Sequence, residues 1–162
     1  MAQVDCFLKV AGIDGEASDA AFPKQIAVES WSWGETNSGT HGTGGGGGAG
    51  KVSMQDMNFV TKIGQHSASL AQACATGQHI PTVELNCRKA GDKGQVYFKV
   101  KLSDVLVSSY QTGGSRHGDV VPTDQVSMNF AKIEIEYKIQ KQDGSLAPGA
   151  KVGYNVKENK AV

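Results

Sequence analysis

Residues 45–51 have the spacing Gly-x-x-x-x-Gly-Lys, the pattern of a loop that cradles phosphate with its backbone N–H groups. Val52 stands where a magnesium-binding Ser or Thr would follow, and the residues after it alternate like a strand instead of opening a helix. The segment therefore reads as a glycine-rich loop. His41, His66, His79 and Cys74 are the clustered soft or borderline metal ligands, but none falls at a paired spacing such as Cys-x-x-Cys or His-x-x-x-His. They read as solvated or cap-related residues. Ser108, His117 and Asp119 could be assembled on paper into a hydrolytic triad, yet no Gly-x-Ser-x-Gly turn accompanies them. Glu134 and Glu136 share one side of a strand and read as a solvated face, not as an acid and a base flanking a substrate. Trp31 and Trp33 also project from one side of a strand, either into a core or as an exposed platform, with Ser30 and Ser32 pointing the other way. Nothing here names a reaction, so no enzyme, metal or cofactor is expected.

The composition narrows the remaining classes. Sixteen basic residues balance sixteen acidic ones. The field that would draw the chain onto nucleic acid or anionic lipid is therefore missing. A net charge near zero also removes the self-repulsion that keeps small domains apart. At 39% apolar and 20% charged the chain is too apolar for disorder, and no unbroken apolar run approaches a membrane span. Its 162 residues fit one domain over 1–162, long enough to bury about 70% of its unfolded surface. The N-terminus lacks a basic leader or an apolar run, so synthesis and folding are expected in the cytoplasm. Cys6, Cys74 and Cys87 are three and widely spaced, which suits reduced, buried thiols better than a disulfide framework.

The elements that must position these residues are mostly strands. Val4, Cys6, Leu8 and Val10 recur every second position, and residues 25–33 alternate as well. Residues 12–23 between them read as a polar loop. Residues 34–50 are glycine-rich, with Gly44-Gly45-Gly46-Gly47-Gly48 at their centre. Such a segment cannot bury a side-chain core, and it is either floppy or held by a partner. Val52, Met54, Met57 and Phe59 return to strand character. Leu70, Ala73, Cys74 and Gly77 follow helical spacing, with Ser69 and Gln72 as a capping box or Ser67 as N-cap, and Gly77 as the stop. Val83, Leu85 and Cys87, then the turn Gly91-Asp92-Lys93-Gly94, then Val96, Phe98, Val100 and Leu102 form a hairpin signal. Val126, Met128 and Phe130 hold one parity and Ile133, Ile135, Tyr137 and Ile139 the other, so a β-bulge near Ala131 would keep both sets on the core side. Ala150, Val152, Tyr154 and Val156 read as a terminal strand. Six or more strands with one short helix predict a mainly β fold: a β-barrel or two packed antiparallel sheets, the helix outside.

Several blocks stand out together: Val4-Asp5-Cys6-Phe7-Leu8-Lys9, Ser30-Trp31-Ser32-Trp33-Gly34, residues 41–52 and Gln55-Asp56. They continue through Ala73-Cys74-Ala75-Thr76-Gly77-Gln78-His79, Arg88-Lys89-Ala90-Gly91, Val105-Leu106-Val107-Ser108-Ser109, Val126-Ser127-Met128-Asn129-Phe130-Ala131-Lys132 and the closing Tyr154 to Val162. Taken together they resemble one family, the Hcp (haemolysin-coregulated protein) subunits of bacterial type VI secretion systems. Arg116-His117-Gly118 departs from the usual pattern. The resemblance implies a two-sheet β-barrel with a helix, built into hexameric rings that stack as a tube. It implies spike and sheath proteins as partners, small effectors carried in the lumen, and release through the apparatus. It places Ser32 at a lumen-facing, cargo-contacting position, and His41, Gly42, Gly44, Gly45, Gly46, Gly47, Gly48, Ala49 and Gly50 in an extended loop that reaches an adjacent subunit or ring. Two other readings compete: an effector built on the same scaffold, and a monomeric β-sandwich that binds carbohydrate or peptide through Trp31 and Trp33.

Overall fold

The two-residue apolar period dominates the chain, and strands dominate the computed structural model, which describes residues 4–39, 51–89, 95–118 and 121–162. In chain order these are β1 (Val4–Val10), β2 (Ile26–Ser32), β3 (Glu35–Asn37), β4 (Val52–Met54), β5 (Met57–Lys62), α1 (Gln65–Thr76), β6 (His79–Lys89), β7 (Val96–Gly113), β8 (Thr123–Gln140), β9 (Leu146–Asn155) and β10 (Lys160–Ala161). The glycine loop from His41 to Gly50 and the turn at 91–94 lie outside the described residues. β8, β5, β2, β1, β6 and β7 succeed one another, and β7 pairs back onto β8, so six antiparallel strands close into a barrel. β9 and β10 extend the sheet beyond β8, while β3 and β4 form a separate two-stranded ribbon. The single strand expected from Lys51 to Val60 is thus two elements, β4 in the ribbon and β5 in the barrel.

The core gathers Leu8, Ile26, Met57, Phe59, Leu85, Leu102, Val107 and Met128, all nearly inaccessible to solvent. Each buried aliphatic or aromatic side chain of this size contributes about 1.5–3 kcal/mol. The change of parity expected near Ala131 occurs, but not through an inserted residue. Ile80, Val105 and Phe130 form one matched row and Val83, Leu102 and Ile133 another, with the ladders in step across both. Asp104, at φ +53°, sits between the rows. Its left-handed backbone turns β7 over, and the neighbouring strands follow in register. Beyond that level Ile135 is half-buried, but Tyr137 and Ile139 are exposed, not core residues as expected, because β8 and β9 run on past the barrel.

Helix α1 begins earlier than either capping scheme expected. Gly64 is the N-cap, and Ser67 occupies N3, where its Oγ accepts the Gly64 N–H at 3.0 Å. The Glu16 carboxylate accepts the Gln65 N–H at 3.0 Å, which places a negative charge at the positive end of the helix. Gly77 ends it at φ 66°, as the sequence predicts. Twelve residues make a helix that is marginal alone, so Leu70 and Ala73 must dock into the core.

Two polar assemblies hold the loops around this frame. Asp124 is fully buried and accepts hydrogen bonds from Ser67 Oγ at 2.5 Å and from Tyr110 Oη at 3.0 Å. His66 Nε2 shares a hydrogen bond with Thr61 Oγ1 at 3.0 Å and lies 3.9 Å from Asp124. Burial holds the His66 imidazole below its ordinary pKa, against the pull of the Asp124 and Glu16 carboxylates. The second assembly is on the outer side of β1 and β6. Arg88 donates both guanidinium ends to Asp19, lies 3.7 Å from Asp5, and sits over the rings of Phe7 and Phe22. Those rings stack at 4.7 Å, so the polar loop at 12–23 is fastened to the barrel.

The cysteines overturn an expectation. Cys6 and Cys87 are directly opposed on β1 and β6 with Cα atoms 4.2 Å apart, and they are joined in a disulfide. Their 81-residue separation says nothing about register, which alone brought them together. Cys74, half-buried on α1, is free.

Two outcomes follow from these assemblies. Because His66 binds its proton less readily folded than unfolded, its contribution is complete above pH about 6.5 and is lost as the pH falls below that value. Urea midpoints measured from pH 7.5 to 5 should decline, and His66→Gln should flatten that decline. Arg88→Ala should lower Tm by roughly 2–6 °C. It should also speed hydrogen exchange at the Gly15 and Ala17 amides, which the fastened loop bonds to Lys24 and Gln25.

Candidate functional site: an uncharged wall on four strands

A bulge decides what β2 presents to solvent. Before it, Ile26 and Val28 pair with Leu8 and Cys6 on the core side. The register with β5 then shifts between Val28 and Ser30, and past the shift Trp31 is matched with buried Phe59 while Ser30 and Ser32 face outward. The even-numbered residues of one strand therefore serve the core at one end and the surface at the other. Trp31 stacks on Phe98 at 5.5 Å and keeps 37% of its surface, whereas Trp33 lies past the strand end, tilted against Phe130 at 6.5 Å. The two indoles have different partners and form no common platform.

Ser32 starts a row that crosses four strands: Ser32 on β2, Asn58 on β5, Ser127 on β8 and Ser109 on β7. The next row is Ser30, Val60, Gln125 and Gln111. Asn129 and Leu106 are matched beside them. This face opposes the buried Met57, Phe59, Val126 and Met128 of the same strands, so period-two alternation makes one side apolar and the other hydroxyl and amide. The side chains are bonded to one another. Ser127 Oγ donates to Asn58 Oδ1. Asn129 Nδ2 donates to Asp56 Oδ1 at 2.9 Å, and Ser108 Oγ donates to Asp56 Oδ2 at 2.6 Å. A second bulge, between Val107 and Ser109, supplies the extra residue Ser108 that reaches Asp56. At the rim, Lys62 and Glu29 pair at 3.7 Å. Apart from Val60 and Leu106, the described residues of the wall offer neutral donors and acceptors, and the Asp56 carboxylate among them is already hydrogen-bonded.

The opposite chemistry covers another outer face. Lys9, Glu84, Lys101 and Glu134 form one matched row, and Asn86, Lys99, Glu136 and Lys151 the next. Opposite charges alternate from strand to strand. Glu134 and Glu136 are therefore flanked by lysines, as a charged face requires.

The remaining candidates scatter. Ser108 is bonded to Asp56, His117 lies on an exposed bend, and Asp119 falls outside the described residues. His66 is buried beside Thr61, while His79 bonds exposed Asp104 at 2.8 Å. Among the described residues no three His, Cys, Asp or Glu side chains gather as metal ligands, and no helix is long and apolar enough to cross a membrane. Lys51 leads into strand β4, not into the helix that a phosphate loop would open. Asn58, Gln125 and Gln111 escaped the sequence reading altogether. The alternation of Gln125, Ser127 and Asn129 in β8 was visible, but the strands beside it were not.

Comparison with known proteins agrees with this architecture. The family model described as "Type VI secretion system effector, Hcp" matches residues 7–137. Protein hcp1 of Pseudomonas aeruginosa is 43% identical over 158 residues, covering 96% of this chain and 97% of that protein. The crystal structure of Hcp1 from Salmonella typhimurium superposes with a TM-score of 0.79 at 31% identity, covering 100% of both chains. A solved structure described as a type six secretion system protein reaches a TM-score of 0.93 at 28% identity, over 99% of this chain and 100% of that one. A closed six-stranded barrel of this topology, carried by a sequence this similar over nearly its whole length, belongs to the Hcp family of type VI secretion proteins.

Proposed function

We propose that the chain, one domain over 1–162, is the structural subunit of a secretion tube and performs no catalysis. Six copies close into a ring, rings stack into a conduit, and the Ser32 row faces the bore, where it touches small effector proteins. Made in the cytoplasm, the tube engages spike and sheath proteins and leaves the cell through the apparatus. The observation that carries this reading is the wall of Ser32, Asn58, Ser127 and Ser109 with its neighbours Gln125 and Gln111. A passage that carries folded cargo needs contacts strong enough to hold and weak enough to release. Neutral hydroxyl and amide hydrogen bonds, each worth a net 0.5–1.5 kcal/mol or about that, meet this need without selecting for cargo charge. The β3–β4 ribbon supports the second part of the assignment. Among the described residues its strands pair only with each other, and in sequence they flank the segment from His41 to Gly50, which we assign to contact with the adjacent subunit or ring. Glycine-rich backbone of that kind gains order from a neighbour, not from a core of its own.

Size-exclusion chromatography with light scattering should return about six times the 17.0 kDa protomer mass. A stable lone protomer would favour the monomeric binding module instead. Removing Gly44 to Gly48 should leave rings intact and impair their stacking in electron micrographs. Ser32→Gln should leave the ring mass unchanged and weaken effector retention in a pull-down roughly tenfold, the equivalent of about 1.4 kcal/mol. Equal retention would refute the place given to Ser32.

A further inference from the structure

The Cys6–Cys87 bridge belongs to neither the neutral wall nor the charged face, and it conflicts with where the chain is made. Cytoplasmic thiols keep disulfides open. The barrel nevertheless holds these two cysteines directly opposite each other, within a ladder that runs from Val4↔Lys89 to Val10↔Val83. We propose that Cys6 and Cys87 are a redox staple, a dithiol inside the producing cell and a disulfide once the chain reaches oxidising surroundings. The proposal rests on the export reading given above.

The position explains what the staple does. β1 is a seven-residue strand whose outer end is open to solvent: Val4 is 49% exposed. Loss of β1 would open the barrel between β2 and β6, its two partners. The ladder and the matched row Val28, Cys6, Cys87, Phe98 stand without the covalent bond, so the reduced chain folds and assembles in the same shape. Closing the bond then ties the first strand to the middle of the chain across 81 residues.

The two residues are unequal. Cys87 is 1% exposed, whereas Cys6 is only partly buried, which makes it the one expected to react first. With a glutathione-type disulfide as oxidant, the Cys6 thiolate attacks one of its sulfurs, forming a mixed disulfide and expelling one thiolate. The Cys87 thiolate then attacks Cys6 Sγ and expels the second. Two protein thiols are oxidised, one external disulfide is reduced to two thiols, and the protons lost by the cysteines go to the two leaving thiolates.

The test uses the full chain carrying Cys74→Ser, treated with oxidised glutathione. The parent should close the bridge without a retained adduct, and its unfolding equilibrium constant in guanidinium should fall on the order of a thousandfold relative to the reduced form. Adding Cys87→Ser should trap one glutathione on Cys6 by mass spectrometry, and adding Cys6→Ser should leave Cys87 unmodified. Acid-quenched alkylation should find both thiols free in cell-retained protein and bonded in protein from the medium. A bridge already closed in cells, free thiols in exported protein, or equal stability of the two forms would overturn the staple. Absence of the chain from the medium, or a lone protomer in light scattering, would instead overturn the export and ring reading, while the glutathione and guanidinium measurements still decide the staple itself.

Discussion

The pairing of β7 with β8 runs from Phe98↔Tyr137 to Gly113↔Thr123, and it is the contact that closes the barrel. Both strands are 18 residues long, about three times an ordinary strand. One end of the pair borders β6 and the other borders β5, so the same two strands supply both walls of the core. The helix depends on them as well. Its Leu70 and Ala73 pack into the cluster that β7 lines, and its first turn is bonded to Asp124 at the start of β8. A closed barrel also leaves none of its six strands with an open edge for uncontrolled pairing. Among the described residues the edges left over are those outside the barrel: β9 before its short pairing with β10, and the two-stranded β3–β4 ribbon.

Closure imposes a direction on every side chain, and the chain adjusts that direction at a few backbone positions. The register shift between Val28 and Ser30 turns the serines of β2 outward, and the one between Val107 and Ser109 adds Ser108 to the same surface. Asp104, with its left-handed backbone, reverses the core side of β7 between the two walls. The consequence is two outer faces of distinct chemistry on one barrel. One carries alternating Lys and Glu in matched rows, and the other carries Ser, Asn and Gln. Charge that is locally balanced keeps the first face wet, while neutral groups bonded to one another leave the second without fixed charge.

Much of the fold was legible in the residues. The strands around Leu8, Leu85, Val100 and Met128 followed from alternation, because a half-buried strand must place apolar side chains on every second position. Gly77 marked the helix end, because the left-handed backbone there suits a residue without Cβ. The start of the helix was not legible, since Gly64 offers no side chain and its partner Ser67 lies inside the first turn. The candidate site was legible at Ser32 and as the outward parity of β8, and no further. Its other members come from strands 26 to 95 positions away in the chain, and nothing local records which residues end up beside one another.

The amino-acid order by itself determined that this would be a charge-balanced, strand-rich chain with a short helix and a glycine segment that no core could use. Those are properties of residue type and spacing, which local sterics and hydrophobic burial read directly. Tertiary structure alone decided the rest: that Cys6 meets Cys87, that Arg88 clasps Asp19, and that four separate strands align their hydroxyls and amides into one wall. Each of these depends on register, and register is a property of closure, reached only when the whole chain has folded back on itself.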